Sequence, residues 1–245
     1  MTSNYNKNAG VTLVEMLIAM LIGLIILAGI TVVYLSSKKT FNLGSNMVNV
    51  HENGRFAINY LVKDLQRAGW VESNVVPSEG FSLTKPLVNF KNNQTVAGGK
   101  SSDAVTVRYY GEQNCKGEIP ADGIVENTYQ LVPGDELSEL QCNGVTLLSN
   151  VESFQLRYGV LSQDGLQYVS ADMLTPQSII KSVQVGIIVA SKQKNVTTEN
   201  SVTVGNVLGE GPYTFNDGRY RQVFTNTVLI NNGGSLPPDE LLVSE

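Results

Sequence analysis

The segment VTLVEMLIAMLIGLIILAGITVVYLSS, residues 11–37, decides the architecture of this chain. From Met16 to Leu35 it holds 20 residues without a charge, the length that a helix needs to cross about 30 Å of hydrocarbon. One carboxylate, Glu15, lies at the edge of this run, and a polar leader of residues 1–10 precedes it. We therefore expect a membrane-spanning helix over residues 11–38 that carries one ionisable group near its start.

The leader differs from an ordinary secretory signal, which has a basic start and a cleavage site after its apolar stretch. Here the small pair Ala9-Gly10 comes before the apolar run. A cut after Gly10 would remove residues 1–10 and keep the helix. On composition alone, an uncleaved membrane anchor fits the segment equally well.

The carboxylate of Glu15 is costly at membrane depth unless it finds a partner. If the mature chain begins at Val11, the new amine lies four residues before Glu15. The carboxylate could then neutralise the amine of a neighbouring helix packed one step out of register, a pairing that is strongest at low dielectric constant. Alternatively, Glu15 interacts favourably with the N-terminus of its own helix. Both interactions of Glu15 can occur, at different stages of the protein's life.

The helix is predicted to continue beyond the membrane, because no proline occurs before Pro77. One helix from about Thr12 to about Ala68 would be about 85 Å long, with residues 39–70 as its soluble half and Gly69-Trp70 as its end. An apolar stripe on this half predicts packing on a sheet: Val50, Gly54, Ile58, Leu61, Leu65 and Ala68, widened by Phe56 and Val62. The other faces carry Arg55, Lys63, Asp64 and Arg67.

After Trp70 the apolar period changes to two, which is typical of strands. Strands are predicted at Ala104–Tyr110, Val125–Val132, Phe154–Val160, Ser182–Ala190 and Val223–Ile230, with turns at Pro133–Asp135, Gln163–Gly165 and Asn216–Gly218. No helical pattern separates the strands, so the sheet should be antiparallel and the fold α+β. Residues 71–230 would form this head, and residues 231–245, rich in Gly, Pro and acid, a flexible tail.

Several function classes are disfavoured by composition. A net charge of −5 and a pI near 5.0 argue against direct nucleic-acid binding. His51 is the only histidine, so clustered-histidine metal sites are excluded and a catalytic triad is disfavoured. Asp164, Asp172 and Asp217 lack EF-hand spacing, and turn formation is preferred to calcium binding. No cofactor or metal is predicted.

The two cysteines, Cys115 and Cys142, are too few for a structural zinc site without other ligands. A disulfide between them would stabilise the fold by roughly 3–4 kcal/mol on the chain-entropy estimate and would persist in an oxidising compartment. The alternative is two unlinked buried thiols. We expect the disulfide, and with it a head outside the cytoplasm. The lysines on the two sides of the apolar segment do not decide its topology.

NAGVTLVEML, residues 8–17, resembles the type III signal of type IV pilins and type II secretion pseudopilins. The resemblance implies cleavage by prepilin peptidase after Gly10, N-methylation of Val11, and a charge pair made by Glu15 during assembly. Val11 departs from the family, in which phenylalanine or methionine is commoner at this position, and weakly suggests a minor subunit.

Three further blocks resemble landmarks of the PilW family of minor pilins, which is related to the pseudopilin GspJ: Asn53–Trp70, Asn150–Val160 and Arg219–Asn232. Ile230 stands where arginine is common in that family. The resemblance implies a pilin-like fold and a subunit that starts a pilus and lies at its tip. Its partners would be other minor pilins, the major pilin and often a large tip adhesin.

The implied location is the inner membrane of a Gram-negative bacterium, with the head in the periplasm, and then the extracellular pilus. A GspJ-like pseudopilin of type II secretion is the main alternative. A membrane-anchored periplasmic enzyme is a further one, but it lacks a candidate catalytic base and leaves Glu15 and the leader unexplained.

Overall fold

The computed structural model describes residues 11–70, 94–96, 100–162, 165–174, 180–199 and 201–231. The proposed leader, Asp164 and the tail beyond Asn231 lie outside these residues. The chain divides into two compact units, Met1–Ser45 and Asn46–Glu245.

A single helix, α1, extends from Leu13 to Arg67 and comprises 55 residues, which confirms the helix predicted from about Thr12 to about Ala68. It ends because Gly69 adopts a φ of 73°, a left-handed conformation that glycine reaches without steric cost. The N–H of Trp70 donates to the carbonyl of Arg67 at 2.9 Å and closes the last turn.

The head is built on an antiparallel sheet in the order β11-β8-β6-β5-β4-β3, with β7 added to β6. Two separate hairpins, β1–β2 and β9–β10, complete the strands of the described residues. The strands are β1 Gln94–Val96, β2 Lys100–Ser102, β3 Ala104–Tyr110, β4 Ile124–Val132, β5 Ser138–Cys142, β6 Val145–Ser162, β7 Gly165–Val169, β8 Ile180–Ala190, β9 Val202–Val204, β10 Tyr213–Phe215 and β11 Arg221–Leu229; a short 3-10 helix covers Ala171–Met173. The predicted α+β class with an antiparallel sheet is confirmed.

Within the unit Asn46–Glu245, the soluble half of α1 crosses the sheet from one edge to the other. Gly54 meets the ring of Phe224 in β11 at the first edge. Near the other edge, the N–H of Gly69 donates to the carbonyl of Arg108 in β3 at 2.9 Å. Between these points the predicted stripe is buried, with Leu61 and Leu65 both 0% exposed.

Two residues of the helix were assigned to the wrong face. Phe56 is 55% exposed, because it precedes the buried Ile58 by two positions and is therefore rotated by about 200° from it. Asp64 is only 6% exposed, because it follows the buried Leu61 by three positions and shares its face. From residue type, the apolar Phe56 was expected to be buried and the charged Asp64 to be exposed.

The second face of the sheet is covered by part of the segment between β8 and β11. Val207 is 1% exposed and packs so closely on Gly186 of β8 that a Cβ there would lie 2.7 Å from Val207 Cγ1. Arg157 of β6 donates from Nε to the carbonyl of Leu208. This segment therefore belongs to the folded head.

Candidate functional site

The start of α1 is defined by Thr12. Its Oγ1 accepts a hydrogen bond from the backbone N–H of Glu15 at 3.2 Å, so Thr12 is the N-cap and Glu15 the third helical residue. The spacing Thr-x-x-Glu is the sequence pattern of a capping box, and the cap could have been predicted from it. Val11 and Thr12 precede the helix, and Gly10 lies outside the described residues.

The first half of α1 is apolar on all sides. An 18-residue window reaches a mean hydropathy of 2.9, and 0% of it is buried within the chain. By length and composition this is the candidate membrane span among the described residues. Large apolar side chains are exposed around its whole circumference: Leu13, Val14, Met16, Leu17, Ile18, Met20, Leu21, Ile22, Leu24, Ile25, Ile26, Leu27 and Ile30. Lipid or other helices must cover this surface in a stable state.

The predicted disulfide is present: Cys115 and Cys142 are bonded, with their Cα atoms 6.2 Å apart. Cys115 lies in the loop between β3 and β4, and Cys142 is the last residue of β5. The disulfide therefore connects the β3–β4 loop to β5, which is paired with β4 in the sheet.

Asp217, considered for calcium, is instead held by an arginine. Arg221 donates from Nη1 and Nη2 to the two carboxylate oxygens of Asp217 at 2.7 and 2.8 Å. This bidentate contact is the main reason that the pKa of Asp217 is lowered to about 2. Asp172 lies in the 3-10 helix. Among the described residues, no group of three or more His, Cys, Asp or Glu side chains could hold a metal ion.

The neighbouring Arg219, in the segment before β11, contacts the segment after β8 and the loop between β4 and β5. It is 1% exposed, and its guanidinium donates to the carbonyls of Ser191 and Lys192 and to the carboxylate of Glu136. Arg221 adds an ion pair with the buried Glu152 at 2.6 Å. These contacts organise one end of the sheet, and the acidic side chains of this cluster are satisfied by arginine.

His51 is exposed and lies against aromatic rings of the head. Its ring centroid is 5.9 Å from that of Phe224, in an edge-on arrangement. The contact gives the only histidine of the chain a packing role.

Comparison with known proteins gives two family matches. Residues 5–31 match the prokaryotic N-terminal methylation motif. Residues 109–232, just over half of the 245 residues, match the family described as type IV pilus-assembly protein W. This chain belongs to that family. No curated protein matches it.

The PilW match contains two of the three landmark blocks, Asn150–Val160 and Arg219–Asn232, and the methylation motif contains the cap and Glu15. Among solved structures, a type IV-like pilin from Thermus thermophilus aligns with a TM-score of 0.42 and 14% identity, over 75% of this chain and 98% of that one. The predicted family is confirmed by the match over residues 109–232. Pilin families are in general structural rather than enzymatic.

Proposed function

We propose that the chain is a minor pilin that helps to initiate a type IV pilus and lies at or near its tip with other minor pilins. The observation that carries this proposal is the apolar half of α1, which is unburied within the chain and begins inside the methylation motif, residues 5–31. Such a surface can be covered first by lipid and later by the helices of neighbouring subunits. The large PilW match favours the minor-pilin role over that of a major subunit.

Processing would occur at the start of this helix. Prepilin peptidase would cut between Gly10 and Val11, and the new amine of Val11 would be methylated. Because the cut lies before the apolar segment, residues 11–38 remain as an anchor in the inner membrane of a Gram-negative bacterium. The head, residues 71–230, would lie in the periplasm, where the Cys115–Cys142 bond is stable.

Glu15 would act during assembly, as the partner of the amine of Val11 in a neighbouring subunit. In the isolated chain, Glu15 lies in the first turn of α1, where the helix N-terminus favours a negative charge. Assembly would exchange this interaction for an ion pair in a low-dielectric bundle, where an unpaired carboxylate is costly. Other minor pilins, the major pilin and a large tip adhesin are the proposed partners.

The experiment compares Glu15→Gln and Glu15→Ala with Glu52→Gln, which changes an exposed carboxylate of the soluble half. We expect both Glu15 variants to be inserted and cleaved but to be lost from sheared pili, because the charge pair is gone. Glu52→Gln should behave as the wild type. Incorporation of Glu15→Gln into pili at the wild-type level would refute the role of the carboxylate.

Deletion of the gene separates this role from its alternatives. A minor pilin of this kind is required for surface pili, so their loss with normal protein export is expected. Blocked export with intact pili would instead assign the chain to type II secretion as a GspJ-like pseudopilin.

A further inference from the structure

A buried carboxylate joins the soluble half of α1 to the sheet. Asp64 is 6% exposed and borders the apolar core of the head. Its Oδ2 accepts hydrogen bonds from the hydroxyl of Tyr129 at 2.6 Å and from Nδ2 of Asn127 at 2.9 Å. A buried carboxylate is tolerated only when such donors are in place. We call Asn127 and Tyr129, both of β4, the Asp64 receptor.

The hydroxyl of Tyr129, one of the two donors of this receptor, stays protonated. Burial, and then the charge of Asp64, raise the pKa of Tyr129 well above that of a free phenol. The same two causes raise the pKa of Tyr109, whose hydroxyl accepts a second hydrogen bond from Asn127 Nδ2 at 3.2 Å, to about 12. Tyr129 therefore donates to Asp64 throughout the neutral range.

Each cysteine of the disulfide neighbours one residue of the receptor. Cys142 lies directly opposite Tyr129 in the register of β4 and β5. The backbone N–H of Cys115 donates to Oδ1 of Asn127 at 2.9 Å. That bond holds the oxygen of the Asn127 amide toward Cys115 and turns its nitrogen toward Asp64. Without the hydrogen bond from Cys115, the side-chain amide of Asn127 loses the contact that selects this orientation.

We propose that Asp64 is the residue that locks α1 onto the sheet and that the lock closes only when Cys115 and Cys142 are oxidised. The two thiols would be oxidised by thiol–disulfide exchange with a disulfide-donating oxidoreductase. The new bond forms as two protons and two electrons leave the cysteines, and the donor's disulfide is reduced to a dithiol.

The lock lies within the unit Asn46–Glu245 and does not depend on the proposed function. A consequence for assembly does rest on the proposed function: oxidation must precede incorporation into the pilus, because a helix that is not locked cannot carry its head into the filament in a defined position.

Hydrogen exchange on the full chain in detergent tests the lock. The oxidised protein is compared with protein reduced by a phosphine, with amides of residues 60–67 of α1 reporting the lock and amides of β8 reporting the rest of the head. We expect reduction to lower the protection of residues 60–67 by about tenfold, the size of a coupling between directly linked groups. Protection of β8 should change by less than about twofold. An equal loss in β8 would mean that the disulfide acts on the whole head, which would overturn the proposal.

Substitution of Asp64 shows whether the disulfide acts through this residue. In Asp64→Asn, which keeps the size of the side chain, reduction should lower the protection of residues 60–67 by less than about twofold. Lys63→Gln, at the adjacent exposed position, should keep the full response. An unchanged tenfold response in Asp64→Asn would refute the coupling. If that variant does not fold, Tyr129→Phe removes one donor and keeps the ring, and it should reduce the response in the same direction.

A cellular measurement separates the lock from the assembly role. Cys115→Ser with Cys142→Ser should leave the subunit in the membrane and absent from pili. If this variant enters pili normally while the exchange experiment succeeds, the order of events is wrong and the lock stands. If deletion of the gene leaves surface pili intact, the proposed function itself fails.

Discussion

Gly54 allows a close approach between α1 and β11, and its substitution tests the packing of the helix on the sheet. A Cβ built on Gly54 would lie 2.1 Å from Cε2 of Phe224, a distance at which the ring must move. Gly44, ten residues earlier in the same helix, has nothing within 4 Å of its Cβ position. The two glycines are therefore matched in helix propensity and differ in their surroundings.

The expected magnitudes follow from two opposing effects. Alanine is favoured over glycine inside a helix by about 1 kcal/mol, so Gly44→Ala should raise the free energy of unfolding by up to about 1 kcal/mol. Overpacking costs about 1–3 kcal/mol, because the Phe224 ring must give up its contacts with the core. The net result for Gly54→Ala is a loss of about 1 kcal/mol, and the two variants should differ by roughly 2 kcal/mol.

The assay is urea unfolding of the full chain in detergent, followed by the fluorescence of Trp70, the single tryptophan, at the end of α1. Phe224→Leu in the Gly54→Ala background should recover part of the lost stability, since the smaller side chain leaves room for the methyl group. If Gly54→Ala is as stabilising as Gly44→Ala, the close contact between α1 and β11 is absent and the helix does not cross the sheet as described.

Two further outcomes are expected. Because the pKa of Asp217 is lowered to about 2 in the folded state, this carboxylate stabilises the fold above its unfolded pKa of about 4, and the contribution is lost as the pH falls from about 4 to about 2. The stability of Asp217→Asn should therefore fall less steeply with pH over that range. An acid-unfolding profile identical to that of the wild type would refute the arginine contact. Gly10→Trp should leave an uncleaved precursor in the membrane, whereas the control Asn8→Ala should be cleaved, as judged by intact mass. Normal maturation of Gly10→Trp would show that the cleavage site does not follow Gly10.

The helix and several strands could be predicted because their signals are local. The absence of proline and the length of the apolar run predict α1 to within one residue at each end. The alternation in Ala104–Tyr110 predicts β3 with its exact bounds. The short strands β1, β2, β5, β7, β9 and β10 were not predicted, because strands of three to five residues hold too few positions for a period of two to emerge.

Contacts between residues that are distant in sequence could not be predicted. β6 has 18 residues and pairs with β5, β7 and β8 along different parts of its length, whereas only its middle was predicted. Asp64 was assigned to the exposed side, because its hydrogen-bond donors lie more than 60 residues away. A polar residue with distant donors looks like a solvent-facing one until the fold is known.

The candidate site divides in the same way. The roles of Gly10, Val11 and Glu15 stay predictions from order and spacing, whereas the cap at Thr12, which the structure shows, was available from the same spacing. The cysteine pair was predictable because the chain offers no other partner for either residue. The bidentate hold of Arg221 on Asp217 was not, because an arginine four residues away looks like an ordinary surface charge.

The most direct test of the central claim, that the apolar helix remains part of the working protein, is the N-terminal residue of the subunit isolated from cells. Peptide mapping of that subunit should find a chain that begins at N-methylated Val11 and retains Glu15 and the apolar segment. A chain that still begins at Met1, or a head found without residues 11–38, would contradict it.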